Sequence, residues 1–116
     1  MTYDNSRLYC QGTGGDLAVV KHFDLSIILK KYLYWAPPVW IGLKDSNNND
    51  NSSQFVWVDG SIANSYTNWG NFSYLSNYDC VQIVKYSSFH AWSNLPCSYS
   101  AWQLCETGQR SDYVKE

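Results

Sequence analysis

Four cysteines, Cys10, Cys80, Cys97 and Cys105, constrain this chain more than any other feature. Zinc sites use close pairs such as C-x₂-C, and the tightest spacing here, Cys97 to Cys105, leaves seven residues between. An even count points to disulfides before a catalytic thiol, and four cysteines admit three pairings. At 116 residues there is room for one small domain, and in a core of that size cross-links do much of the stabilising. Two sequons, Asn51-Ser52-Ser53 and Asn71-Phe72-Ser73, fit the same oxidising secretory route and make Asn51 and Asn71 glycosylation candidates. Cysteines and sequons together indicate an extracellular domain, secreted or part of the ectodomain of a larger membrane protein. Met1-Thr2-Tyr3-Asp4 lacks a charged segment followed by an apolar one. No signal peptide is therefore read, and Met1 is taken as an added start on a domain cut from a longer or processed precursor.

Charge and hydropathy exclude other classes. With 8 basic and 10 acidic residues the net charge is −2, so no basic excess exists to neutralise phosphates and no nucleic-acid partner is expected. The longest aliphatic run, Leu17-Ala18-Val19-Val20, falls far short of the roughly 20 apolar residues of a membrane span. No membrane insertion by this segment is expected. Disorder is disfavoured because 45% of residues are hydrophobic and 17% aromatic.

Along the chain, Tyr3, Ser6, Tyr9 and Cys10 fall on one helical stripe, and the glycines from Gly12 to Gly15 stop that helix. Leu17 to Val20 reads as a short buried extended run. Asp24 is a plausible N-cap for a second helix, whose apolar positions Leu25, Ile28, Leu29, Tyr32 and Leu33 share one face, and Pro37-Pro38 prevents its continuation. Strands are predicted at Val39–Leu43, Phe55–Val58, Cys80–Val84, Phe89–Trp92 and Trp102–Cys105, with a turn at Asp59-Gly60. Asp45 to Ser53 is a run of nine polar residues and reads as a solvated loop. Residues 61–79 show no sustained period and read as a long loop carrying scattered aromatics. Such loops are usually functional. Helices early and strands later give an α+β domain over 1–106, followed by a polar tail over 107–116.

Six motifs then occur in a recognisable order: Gly14-Gly15-Asp16-Leu17-Ala18, Trp40-Ile41-Gly42-Leu43, Trp57-Val58-Asp59-Gly60-Ser61, Tyr66-Thr67-Asn68-Trp69, Asp79-Cys80-Val81 and Leu104-Cys105-Glu106. With the four cysteines, this series resembles the C-type lectin-like domain from about Tyr3 to Glu106. The resemblance implies two helices, two small antiparallel sheets, a long loop for ligand recognition, and extracellular binding rather than catalysis. It also implies the nested pairing of Cys10 with Cys105 and of Cys80 with Cys97. Loop-closure entropy assigns those links about 4–5 and about 3 kcal/mol. Trp40, Trp57, Trp69, Trp92 and Trp102 read as core, and Gly42 as a bare backbone against which a neighbouring ring packs. Family members usually carry a strand before the first helix, paired with the last strand. Here the chain begins within that helix. The edge is then open, and the tail segment containing Tyr113-Val114 is one segment able to cover it.

Departures from the family pattern bear on the ligand. Sugar-binding members hold calcium with a Glu-Pro-Asn or Gln-Pro-Asp triplet in the long loop and an Asn-Asp pair after a Trp. Here the loop from Gly70 to Asp79 has no proline and no Glu, and Ser93-Asn94 follows Trp92. Calcium takes six to eight oxygens, carboxylates among them, and only Asp79 supplies charge. No calcium or other cofactor is expected at the usual family site. Asp45 to Asp50 resembles the start of an EF-hand loop but lacks its glycine, and Val56 stands where the bidentate Glu belongs. His22 and His90 are the only histidines, and neither sits in a catalytic motif. The chain reads as a non-enzymatic recognition module. Its candidate ligand-binding residues are Phe72, Tyr74, Tyr78, Ser93 and Asn94, facing a protein or glycoprotein ligand. A glycan bound by aromatic stacking, or through a residual weak calcium site, is the alternative. An oligomer is compatible with either.

Overall fold

The computed structural model describes residues 1–21, 38–46, 54–63, 67–71, 77–86, 89–107 and 112–115, with backbone alone at 71, 86, 89, 107 and 112–115. The second helix expected after Asp24, and His22 before it, lie outside the described residues.

The first helix, α1 (Tyr3–Gly12), begins where Thr2 accepts the Asn5 amide on its side chain, and it buries Tyr3, Ser6 and Cys10 on the expected stripe. It ends as the Thr13 amide donates to the Cys10 carbonyl and that of Gly14 to Gln11, with Gly14 at φ +95°. β1 (Gly15–Leu17) follows at once. Asp16 in it accepts from two Arg7 nitrogens, Nε at 3.0 Å and Nη2 at 3.1 Å, which fasten helix to strand.

The remaining strands are β2 (Val39–Asp45), β3 (Phe55–Trp57), β4 (Trp69–Asn71), β5 (Cys80–Tyr86), β6 (Phe89–Leu95), β7 (Trp102–Thr107) and β8 (Asp112–Lys115). They run in the order β1-β7-β2-β5-β6-β4, with β3 added to β2 and β8 to β7. Two antiparallel sheets were expected. The strands instead form one mixed sheet, because β2 and β7 meet in parallel over two residue pairs, Val39 with Trp102 and Trp40 with Gln103.

β2 is buried on both faces. Val39, Ile41 and Leu43 enter a core with Ala18, Val20, Phe55, Val81, Ile83, Trp92 and Leu104. Trp40 turns the other way, against Tyr3, Leu17 and the cysteines Cys10, Cys80 and Cys105, its ring meeting Tyr3 edge-on with centroids 5.6 Å apart. Cys10 pairs with Cys105 and Cys80 with Cys97, as the family resemblance implies.

Several local expectations need correction. Trp102 is 48% exposed, unlike Trp40, Trp57 and Trp92, because its side chain leaves the sheet on the outer face of β7 beside Met1 and Tyr9. Asp45 is not solvated loop: it ends β2, is buried, and accepts the Gln54 amide at 3.1 Å. The neighbour that requires Gly42 is no ring. A Cβ there would lie 2.8 Å from a Val58 methyl and about 3 Å from the carbonyls of Leu17 and Ala18. β6 runs to Leu95, past the expected Trp92, because seven consecutive residues pair with β5. Within the polar tail, residues 112–115 form β8 antiparallel to β7 from Leu104 to Thr107, so the segment with Tyr113-Val114 is the one that lies on that edge. Just beyond, Met1 and Ala101 exchange backbone hydrogen bonds of 2.8 and 2.9 Å, so the outer edge of β7 is largely covered.

Candidate functional site

The candidate site is the base of the loop between Trp69 and Cys80. Its first stem is β4, which lies parallel to β6 with Trp69 opposite Trp92 and Asn71 opposite Ser93. Asn68 reinforces that contact from both ends: its carbonyl accepts the Trp92 amide at 2.7 Å and its side-chain amide donates to the His90 carbonyl at 3.2 Å. Beneath the stem, Trp69 stacks edge-on against both Phe55 and Trp92, at 5.2 and 5.4 Å. Trp92 in turn meets Trp57 at 5.5 Å. This aromatic chain explains why a three-residue strand holds in a segment without sequence periodicity.

The second stem returns at Asn77 to Asp79. The Asn94 side-chain amide donates to the Tyr78 carbonyl at 3.0 Å, and the Asp79 carbonyl accepts the Asp45 amide at 2.8 Å. The Cys80–Cys97 disulfide then closes the stem onto the chain after β6. Both ends of the loop are thus fixed to neighbouring positions, Ser93 and Asn94, on one strand.

Of the residues singled out from sequence, Ser93 and Asn94 are brought together with Tyr78 at this base. Ser93 is 6% and Asn94 2% exposed, so both serve the stems from inside the sheet, whereas Tyr78 is half-buried at the surface. Phe72 and Tyr74 lie outside the described residues, as does Asn51. Only the backbone of Asn71 is described, in β4. His90 lies on β6 opposite Lys85, away from Ser93 by three positions along the strand. Sequence reasoning missed Asn68, whose amide reads as loop polarity until its two partners on β6 are known.

The loop's one carboxylate is Asp79. Burial raises its pKa, and the nearby charge of Asp45 adds to this while Lys44 opposes it. Folding thus makes Asp79 a somewhat weaker acid than an exposed carboxylate. Elsewhere, Asp59 closes the turn after β3 by accepting the Ser61 amide at 3.0 Å and pairing with Lys21. Burial pushes its pKa upward, but the bonds from Lys21 and Ser61 outweigh this and bring it to about 2. Among the described residues, no three His, Cys, Asp or Glu side chains gather as a metal site.

Residues 1–107 match the family model for the lectin C-type domain. Among curated proteins, the chain is 28% identical over 123 residues to one chain of the snaclec salmorin of Gloydius brevicauda, covering all of this chain and 70% of that one. It is 27% identical over 112 residues to one chain of the snaclec coagulation factor IX-binding protein of Protobothrops flavoviridis, covering 90% and 83%. Collectin-11 of Bos taurus is 27% identical over 106 residues, which is 90% of this chain but only 39% of that one. A solved structure of a calcium-independent type II antifreeze protein superposes with a TM-score of 0.72 at 25% identity, covering 89% of this chain and 75% of that one. The motifs, the nested disulfides, the sheet and the family match over nearly the whole length agree: the chain belongs to the C-type lectin domain family.

Proposed function

We propose that this is an extracellular, non-enzymatic recognition module that binds a protein or glycoprotein partner through the long loop, without calcium. The observation that carries the proposal is the way Asn94, buried in β6, is committed to the Tyr78 carbonyl. With Asn68 clamping the other stem, the base of the loop is pre-organised, and Phe72 and Tyr74, which fall between the two stems in sequence, carry recognition together with Tyr78 at the base. Fixing a binding loop before contact lowers the ordering cost of association, and aromatic anchors of this kind supply much of the energy at protein interfaces.

Calcium independence rests on donor chemistry. From Gly70 to Asp79 the sequence offers one carboxylate, and that carboxylate is half-buried at the base of the loop. A calcium ion needs several oxygen donors, with anionic ones to offset lost hydration. Two relatives support the reading: one is named for binding a protein, coagulation factor IX, and the antifreeze neighbour is described as calcium-independent. An extracellular setting is supported by the two disulfides.

The test is binding to an array of glycans and an array of secreted and cell-surface proteins, each with and without chelator. The expected result is a protein ligand that survives chelation and weakens about ten-fold or more in Phe72→Ala and Tyr74→Ala, with melting temperature unchanged. Sugar binding that chelator abolishes would overturn the proposal, and so would a loss of fold in both variants, which would place those rings in the core.

A further inference from the structure

A separate cleft of about 400 Å³ opens between α1 and the hairpin of β2 and β3. Its lining carries two cations and two carboxylates: Arg7, Lys44, Asp4 and Asp45. Two of the four are already committed within the fold. Arg7 is closed by Asp16 at 3.0 Å, and buried Asp45 accepts the Gln54 amide. Lys44 and Asp4 are exposed and make no ion pair among the described residues. Lys44 is the one exposed side chain of β2, and its ammonium lies 5.8 Å above the ring of Tyr3. Tyr3 itself is buried beneath Lys44, and the half-buried Val56 and Val58 supply the apolar wall.

We propose that this cleft binds a small zwitterion of amino-acid or dipeptide length, its carboxylate on Lys44, its ammonium on Asp4, and its apolar body against Val56 and Val58. The balance of charge decides the class. Lys44 alone would suit an anion, but Asp4 and Asp45 in the same lining repel one, and Asp79 also acts electrostatically on this part of the chain through Asp45 and Lys44. Asp4 alone would suit a cation, but Lys44 and Arg7 oppose it. A ligand bearing both charges pairs with Lys44 and Asp4 together and brings no unmatched charge into the cleft. The volume is at the lower end for a ligand pocket, which fits a ligand of this size. The cleft and the long loop share no residue in this assignment.

The experiment is an NMR titration of the whole chain with leucine, leucyl-leucine, leucinamide and N-acetyl-leucine, following backbone amides of residues 3–7 and 44–46. Leucinamide lacks the carboxylate and N-acetyl-leucine the ammonium. Expected is binding by leucine or leucyl-leucine about ten-fold tighter than either blocked form, since each loses one charge-assisted contact. The pair of intact probes tells which length fits. Lys44→Gln should erase the preference over leucinamide and Asp4→Asn that over N-acetyl-leucine, while Lys44→Arg, Lys85→Gln and Tyr78→Ala retain it. Equal affinity for intact and blocked probes, absence of any shift at these amides, or an undiminished preference in Lys44→Gln would each overturn the proposal.

Discussion

Gly42 is the residue at which the packing leaves least freedom. Its amide donates to the Ala18 carbonyl and its carbonyl accepts from Val58, both at 2.8 Å, so the chain segments on either side cannot withdraw. An added methyl would meet one side chain and two backbone oxygens at 2.8 to 3.1 Å. Gly42→Ala should therefore destabilise the fold by about 1–3 kcal/mol, as overpacking does. Urea unfolding with an unchanged m-value is the measurement, and a loss under about 0.5 kcal/mol would mean that β2 shifts to make room. The close approach at Gly42 was legible in the sequence, because a glycine inside an apolar strand demands one. Its partner was not, since the opposing carbonyls belong to residues 17 and 18, a contact no local pattern encodes. Trp102 failed for a related reason: composition places tryptophan inside, and only the pairing of β7 with its neighbours decides which face its ring leaves by.

Among the elements, α1 and the central strands β2, β3, β5 and β7 were legible because each carries its own period, caps or turn residues. β4 was not. Three residues in a parallel contact of irregular register leave no alternation to read, and the strand holds by Asn68 and the Trp69–Trp92 stack. The extension of β6 through Ser93 and Asn94 was hidden by their polarity, which in the fold is satisfied inside the sheet. Asn94 shows the consequence most clearly. Asn94→Ala removes the donor to the half-buried Tyr78 carbonyl, which costs about 0.5–1.5 kcal/mol, the net worth of one hydrogen bond. Hydrogen exchange should report the loss locally, with amides at 77–79 exchanging faster while those of β2 and β7 change by no more than the loss of global stability. A uniform acceleration across all strands would instead make Asn94 a general core residue with no particular hold on the loop.

For the molecule as a whole, the two disulfides divide the work. Spacing alone left three pairings open, and only the family resemblance selected the nested one now seen. Cys10–Cys105 spans 95 residues and joins α1 to β7 beside Trp40 and Leu17, whereas Cys80–Cys97 spans 17 and closes the loop base. Chain entropy makes the outer link the stronger, about 4–5 kcal/mol against about 3. Nesting changes this little, since the inner loop shortens the outer one and closure depends only logarithmically on length. The two together reach about 7–8 kcal/mol, comparable with the whole net stability of a small domain at about 5–15 kcal/mol. The fully reduced chain should accordingly be unfolded or nearly so at room temperature. The variant Cys80→Ser/Cys97→Ser should fold with a urea midpoint above that of Cys10→Ser/Cys105→Ser, yet lose more affinity for a loop-bound partner, because it frees the stem that Asn94 holds. The opposite order of midpoints would show that strain or packing around Cys80, not chain entropy, sets the stability of this fold.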